Sequence, residues 1–407
     1  MSVVCIAAFA GAAVAEDCGK KCEGNWVAAW GTAQQLAQPA RPIPAAQTPP
    51  PRVAGQTVRM IARPTVSGSA LRVALSNSFG FAPVRIDLAQ VARYAGAGAI
   101  EEGSGRALTF GGRPWVVLPP GAQVYSDPLP FEVTSQADLA VSLYLDADSG
   151  PTTAHPIGLR TAWLAPGKQV SAGKLQGGAE FKSYLWLAGI EVRAAAKAAT
   201  IVAFGDSITD GFSTTPDADT PWPSLLARRL GALHGQPPRA VINMGISGNR
   251  VLREGAGSSA LARFDRDVLA HPGVRWILLL EGINDIGFSA IAGLPESEKA
   301  TAEDIIAGYR LLIGRARMHG LTIIGGTLTP FEGVPTWSDA GERMRQQVNQ
   351  WIRTSGEFDA VTDFDAATRD PAAPTKLRRE YDSGDHIHPN DAGNKAMADA
   401  IELKLFR

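Results

Sequence analysis

Hydrophobic positions change their spacing about halfway along the chain. Val58 and Met60, then Leu71, Val73 and Leu75, then Leu139, Val141, Leu143 and Leu145 alternate with polar or small residues, which is the period of a strand with one buried face. Turn clusters such as Ser67-Gly68-Ser69, Gly111-Gly112 and Pro119-Pro120-Gly121 separate these runs. Residues 25–190 are therefore expected to form an antiparallel β domain, a β-sandwich or jelly roll.

Beyond a Gly-, Lys- and Ser-rich stretch at 167–180, read as a loop near the junction, short apolar runs alternate with helical patterns. Ile201–Phe204, Ala240–Ile242, Trp276–Leu280, Leu321–Ile324 and Ala360–Phe364 read as strands buried on both faces. Ile305, Tyr309, Leu312 and Ala316 share one helical face, opened by Thr301 and Asp304 as a capping-box-like start, and Met344, Val348, Trp351 and Ile352 share another. Trp222 is expected to start a further helix, and Asp391 to cap a last one over 392–405. Residues 198–407 are thus predicted to be α/β, a doubly wound parallel sheet.

The length of 407 residues fits two such domains. A formal net charge of -1, from 39 basic and 40 acidic residues, leaves no electrostatic footprint for nucleic acid. Val3–Ala15 is small and apolar and ends in Ala13-Val14-Ala15, a cleavage-type pattern, so 1–15 reads as a signal peptide and the protein as secreted or periplasmic; a plain apolar tail is the alternative. The run is too short to span a bilayer, and no stable membrane insertion is expected. Of three cysteines, Cys5 falls in that segment, and Cys18 and Cys22 could close a small disulfide loop or stay free thiols. Trp26, Trp30, Trp115, Trp163 and Trp186 fall in the β-rich half and could build a face for sugar rings or simply pack.

Four blocks carry candidate chemistry. Gly205-Asp206-Ser207-Ile208-Thr209-Asp210-Gly211 follows the first parallel-type strand, so Ser207 stands where ligands meet an open α/β sheet. A serine after aspartate is also a common helix cap. Gly248 lies in Asn243-Met244-Gly245-Ile246-Ser247-Gly248-Asn249 and could present its N–H, and Asn284 in Glu281-Gly282-Ile283-Asn284-Asp285 could offer an amide. Asp382-Ser383-Gly384-Asp385-His386-Ile387-His388-Pro389 holds a carboxylate three residues before a histidine. His386, with Asp382 four positions before it, rivals His388 as a base, and Asp382, Asp385, His386 and His388 could instead gather round a metal ion.

These blocks, in this order over 200–395, resemble the SGNH (GDSL) hydrolase family, with Ile208 where the family name implies leucine. The N-terminal half is similar to that of secreted members of the family. The resemblance implies a flavodoxin-like catalytic domain with Ser207 as nucleophile, Asp385 and His388 as the Asp-x-x-His pair, and Ser207, Gly248 and Asn284 as oxyanion donors. Such an enzyme needs neither cofactor nor metal. Asp206 and Arg250 are candidates for lining the substrate pocket. The expected function is secreted serine esterase chemistry on a small-molecule or glycan ester, with short acyl groups such as acetyl favoured. A lipase or lysophospholipase acting on longer chains, or a polysaccharide-binding protein without activity, are the alternatives.

Overall fold

The computed structural model describes residues 24–36, 50–291 and 293–407. The apolar run at 1–15, Cys18 and Cys22 lie outside them. From Gly24 to Ala195 the regular structure is antiparallel β. One sheet orders Gly24–Gly31, Leu187–Ala195, Gly68–Ser76 and Gln123–Tyr125, with Leu129–Val133 also paired to Gly68–Ser76. The other orders Ala179–Phe181, Ala162–Pro166, Gln56–Ala62, Leu139–Leu145, Leu88–Gly96 and Ala99–Ile100.

Register explains the alternation. Val141 faces Met60 on one neighbour and Val91 on the other, and Leu143 faces Val58 and Ala89. Those side chains meet Leu71, Val73, Leu75, Ile190 and Val192 of the first sheet in one shared core. Arg59 breaks the polar-out expectation, because it is fully buried. Its guanidinium donates to Ser142 Oγ at 2.9 Å, Gly98 O at 2.8 Å and Ala172 O at 2.8 Å. The loop read at 167–180 is pinned over the outer face of the sheet by the Arg59 bonds to Val170 O and Ala172 O. Of the tryptophans considered for sugar stacking, Trp163 and Trp186 are buried. Trp26 and Trp115 each carry two arginine guanidiniums, 4.2 to 5.3 Å from the ring centroid.

Three residues after this region the chain enters a five-stranded sheet. Its strands are β1 (Ala199–Gly205), β2 (Arg239–Gly245), β3 (Val274–Leu280), β4 (Thr322–Gly326) and β5 (Ala360–Thr362), all parallel and ordered β2-β1-β3-β4-β5. This is the flavodoxin-like order, whose strand reversal falls beside β1. The helices are α1 (Ser207–Asp210), α2 (Trp222–Gly231), α3 (Ala260–Phe264), α4 (Ile283–Ser289), α5 (Ala302–Met318), α6 (Asp339–Thr354), α7 (Phe364–Thr368) and α8 (Asp391–Ala400). Thr301 and Asp304 form a reciprocal capping box on α5.

Two expectations at the C-terminus need correction. Asn390, not Asp391, caps α8, its Oδ1 accepting from the Ala392 and Gly393 N–H groups. Asp391 is drawn away by Thr215 and Thr220, whose hydroxyls donate to it at 2.6 and 2.5 Å. The helix also ends at Ala400, after which Ile401 is extended and Leu403–Phe406 form a 3-10 turn.

The two halves are hydrogen-bonded to each other. The Thr65 hydroxyl accepts from the Val241 N–H at 3.0 Å on edge strand β2, and Thr200 Oγ1 donates to Ala28 O at 3.2 Å. Among the described residues no helix is long and apolar enough to cross a membrane.

Candidate active site

Ser207 opens α1 at the carboxyl end of β1. The turn is too tight for a side chain at Gly205, where a Cβ would sit 2.2 Å from Leu280 O and 2.3 Å from Thr209 Oγ1. Asp206 caps the helix through the Ile208 N–H at 2.9 Å. Ser207 itself is 4% exposed.

The last block comes to meet it. His388 Nε2 lies 2.8 Å from Ser207 Oγ, and Nδ1 lies 2.7 Å from Asp385 Oδ2. Asp385 Oδ1 also accepts the backbone N–H groups of Ile387 and His388, at 3.1 and 2.9 Å. Partial burial pushes the Asp385 carboxyl up, but the His388 ring and those N–H groups outweigh it and hold it well below the usual carboxylate range. Phe212 packs on the imidazole with ring centroids 4.5 Å apart. Ser207, His388 and Asp385 thus form one continuous chain of hydrogen bonds.

His386 is engaged elsewhere. Its Nδ1 pairs with Asp382 Oδ2 at 2.7 Å, its backbone sits at φ 69°, and half of its side chain is exposed. The four side chains considered as metal ligands therefore pair off two by two. Among the described residues no group of three or more His, Cys, Asp or Glu is placed to hold a metal ion.

Gly248 has φ 80°, a conformation that side chains disfavour. Its loop is tied to the nucleophile turn by Asp210 Oδ2, which accepts from the Ser247 N–H at 3.1 Å and hydroxyl at 2.7 Å. Asn284, in the first turn of α4, donates through Nδ2 to Asn249 O at 2.9 Å. A primary amide has a second N–H, which that bond leaves over. The Ser207 and Gly248 N–H groups donate to no other group among the described residues.

Asp206, expected to line a substrate pocket, is fully buried and faces inward. Its carboxyl shares the interior with Glu281, Asp285 and the guanidinium of Arg263, while the charge of Arg250 also acts on Asp285. Burial, reinforced by the charge of Asp285, pushes Asp206 up to about 7, and burial raises Glu281 well above its ordinary value. Arg250 lines a cleft of about 530 Å3 with Leu36, Phe79, Arg253 and Glu298, and none of Ser207, Asn284, Asp385 and His388 lines it.

The sequence reading missed two features. Arg263 is fully buried and donates to Gly205 O at 2.9 Å, Met244 O at 2.7 Å and Asn249 Oδ1 at 2.8 Å, so it clamps the ends of β1 and β2 together with the Gly248–Asn249 loop. His155, from the β-rich region, bonds Asp210 Oδ1 at 3.0 Å. Both residues lie far in sequence from the groups they hold, so no local motif could have revealed them.

A serine, a histidine and an aspartate in hydrogen-bonded series at the carboxyl end of a flavodoxin-like sheet define a serine hydrolase class. Residues 203–396 match the model of the GDSL-like lipase/acylhydrolase family. That part of the chain belongs to this family, the GDSL or SGNH hydrolases, and the protein is a carboxylic ester hydrolase.

Among solved structures, the chain is similar to a protein assigned to the G-D-S-L lipolytic family from Desulfitobacterium hafniense DCB-2, with 20% identity, 49% of this chain and 96% of that chain covered, and a TM-score of 0.37. It is also similar to the acetylxylan esterase Axe2 from Geobacillus stearothermophilus, with 24% identity, 50% and 91% covered, and a TM-score of 0.39. No curated protein matches it.

Proposed function

We propose that this protein is a secreted, metal-independent serine esterase that removes short acyl groups, acetyl among them, from carbohydrate. One observation carries the chemistry: the unbroken series from Ser207 Oγ through His388 to Asp385. Ser207 Oγ attacks the ester carbonyl while His388 Nε2 takes its proton, and Asp385 stabilises the resulting imidazolium. The Ser207 and Gly248 N–H groups and the Asn284 amide receive the oxyanion. Collapse of the tetrahedral species expels the alcohol, protonated by His388. Water, deprotonated by the same imidazole, then releases the carboxylic acid and restores Ser207.

A hydroxylated alcohol suits the neighbourhood. The cleft beside the Gly248 loop is lined by Arg250, Arg253, Glu254 and Glu298, with Leu36 and Phe79 as its large apolar members. The charged heads can hydrogen-bond sugar hydroxyls, and Leu36 and Phe79 offer an apolar face for a sugar ring. Export is supported by the Val3–Ala15 run alone, and N-terminal sequencing of protein recovered outside the cytoplasm tests it.

The activity is tested with p-nitrophenyl acetate, graded longer esters and acetylated xylo-oligosaccharides. Turnover that survives a chelator, vanishes in Ser207→Ala and falls as the acyl chain lengthens is the expected result. Rates that rise with chain length would replace this substrate class by a lipid one.

A further inference from the structure

His155 stands on the strand Thr153–His155 of the β-rich region and is 3% exposed. Its Nδ1 is 2.8 Å from Ala33 O, and its Nε2 is 3.0 Å from Asp210 Oδ1 and 3.1 Å from Ile157 O. Every one of these partners is an acceptor. A neutral imidazole has one N–H, so one ring nitrogen would point a lone pair at an acceptor; only the imidazolium satisfies the site.

Asp210 ties this histidine to the catalytic groups. It closes α1, one turn after Ser207, and its second oxygen holds the Ser247 N–H and hydroxyl, directly before Gly248. Two residues further on, Phe212 covers the His388 ring. Movement of Asp210 would disturb the nucleophile, one oxyanion donor and the general base together.

We propose that His155 is a positioning residue for ester hydrolysis: as a buried imidazolium paired with Asp210, it fixes the Ser207 turn against the Gly248 loop. The β-rich region is then a working part of the active centre, not an appended module. This inference rests on the esterase function proposed for the site. Burial alone would lower the affinity of His155 for its proton, but the Asp210 charge and the hydrogen bonds outweigh it and hold the imidazole above its ordinary value.

His155 and Asp210 line a small cleft whose other charged or titratable groups are Arg63, Arg160, Asp219 and Tyr184. Arg63 is bonded to Asp138 and Asp219, and Arg160 to Asp138, so Asp210 is the carboxylate left to the imidazolium. Because the folded-state value is raised, the pair is intact below the ordinary imidazole value and is lost as pH rises through the raised one.

The test compares wild type, His155→Gln, Asp210→Asn and the double variant on p-nitrophenyl acetate, with reactive serines counted by a fluorophosphonate. The turnover number per titrated serine should fall about ten- to a hundredfold in each single variant, since misplacement on the scale of 1 Å costs up to about a hundredfold. KM should stay within about threefold, and the double variant should be no worse than the poorer single one, as expected of groups acting as a unit. Wild type should lose rate on the alkaline side through a limb that His155→Gln lacks. A purely structural role would lower the count of reactive serines and leave turnover per serine unchanged.

Should His155→Gln not fold, Ser247→Ala carries the test. It removes one Asp210 donor and leaves the ion pair, and should cost about fivefold or more in turnover per serine. An active wild type whose variants stay within twofold of it per titrated serine overturns this inference alone. A wild type that neither hydrolyses the ester nor takes up the fluorophosphonate overturns the esterase reading and this inference with it.

Discussion

Replacing Arg263 with methionine should unlock the floor of the active site, and the cost can be worked out acceptor by acceptor. The guanidinium serves Gly205 O, Met244 O, Asn249 Oδ1 and Asp267 Oδ2, with Glu281 Oε2 3.6 Å away. Three of these have reserves. Gly205 O also accepts the Ile246 N–H at 3.0 Å, and Asp267 is held by Arg266 at 2.6 and 2.9 Å. Met244 O keeps its place in the β1–β2 ladder, opposite the Gly205 N–H, which leaves Asn249 Oδ1 as the acceptor without such a replacement.

That buried acceptor left unpaired costs about 1–3 kcal/mol, and the buried carboxylates of Asp267 and Glu281 lose a cation as well. Methionine fills much of the space, which keeps the cavity contribution small. A loss of about 3–5 kcal/mol is expected, as when one partner is removed from a buried ion pair, out of a total stability on the order of 5–15 kcal/mol. Amide hydrogen exchange in β1 and β2 reads the free energy of that sheet directly. Protection there reduced by less than about 1 kcal/mol would refute the clamp, and would mean that the desolvation of Arg263 cancels its hydrogen bonds.

Three further outcomes are expected. Asn284→Ala should lower the turnover number about a hundred- to a thousandfold with little change in KM, because the amide acts on the oxyanion; an equal rise in KM would make it a ground-state contact. His388→Ala should be nearly inactive while His386→Ala keeps substantial turnover on p-nitrophenyl acetate, since Nε2 of His388 is the one bonded to Ser207 Oγ; the reverse ranking would transfer the base role to His386. Asp206, raised from 3.8 to about 7 by burial, favours the folded state in its protonated form. Its contribution is therefore present in acid and lost as pH rises from about 4 towards 7. Urea midpoints across that range should fall less steeply for Asp206→Asn than for wild type, and parallel curves would contradict the raised value.

What the sequence disclosed was what neighbours in the chain decide. The Thr301–Asp304 capping box, the start of α2 at Trp222 and the buried strands of the parallel sheet follow from local period and cap chemistry. Ser207, Gly248, Asn284 and His388 were legible through the resemblance of their four blocks to those of the SGNH family, whereas the residues alone left His386 as a rival to His388. Polar groups satisfied across long separations were not legible. Arg59 reads as an ordinary outward strand residue, yet it anchors the 167–180 stretch. Asp391 reads as a helix cap, but two threonines of the loop after Ser207 compete for it. His155 and Arg263 belong to the same group, since a buried ion leaves no periodic trace.

The contact between Thr65 and Val241 also bears on the solubility of fragments. Strand β2 borders the parallel sheet, and a bare border offers a row of unused peptide groups to any other chain. Cutting the gene before residue 198 would strip away Thr65 and the strand Gly24–Gly31 together. The remaining piece is expected to self-associate along that border, so dissection of this protein calls for point variants of the whole chain and not for truncations.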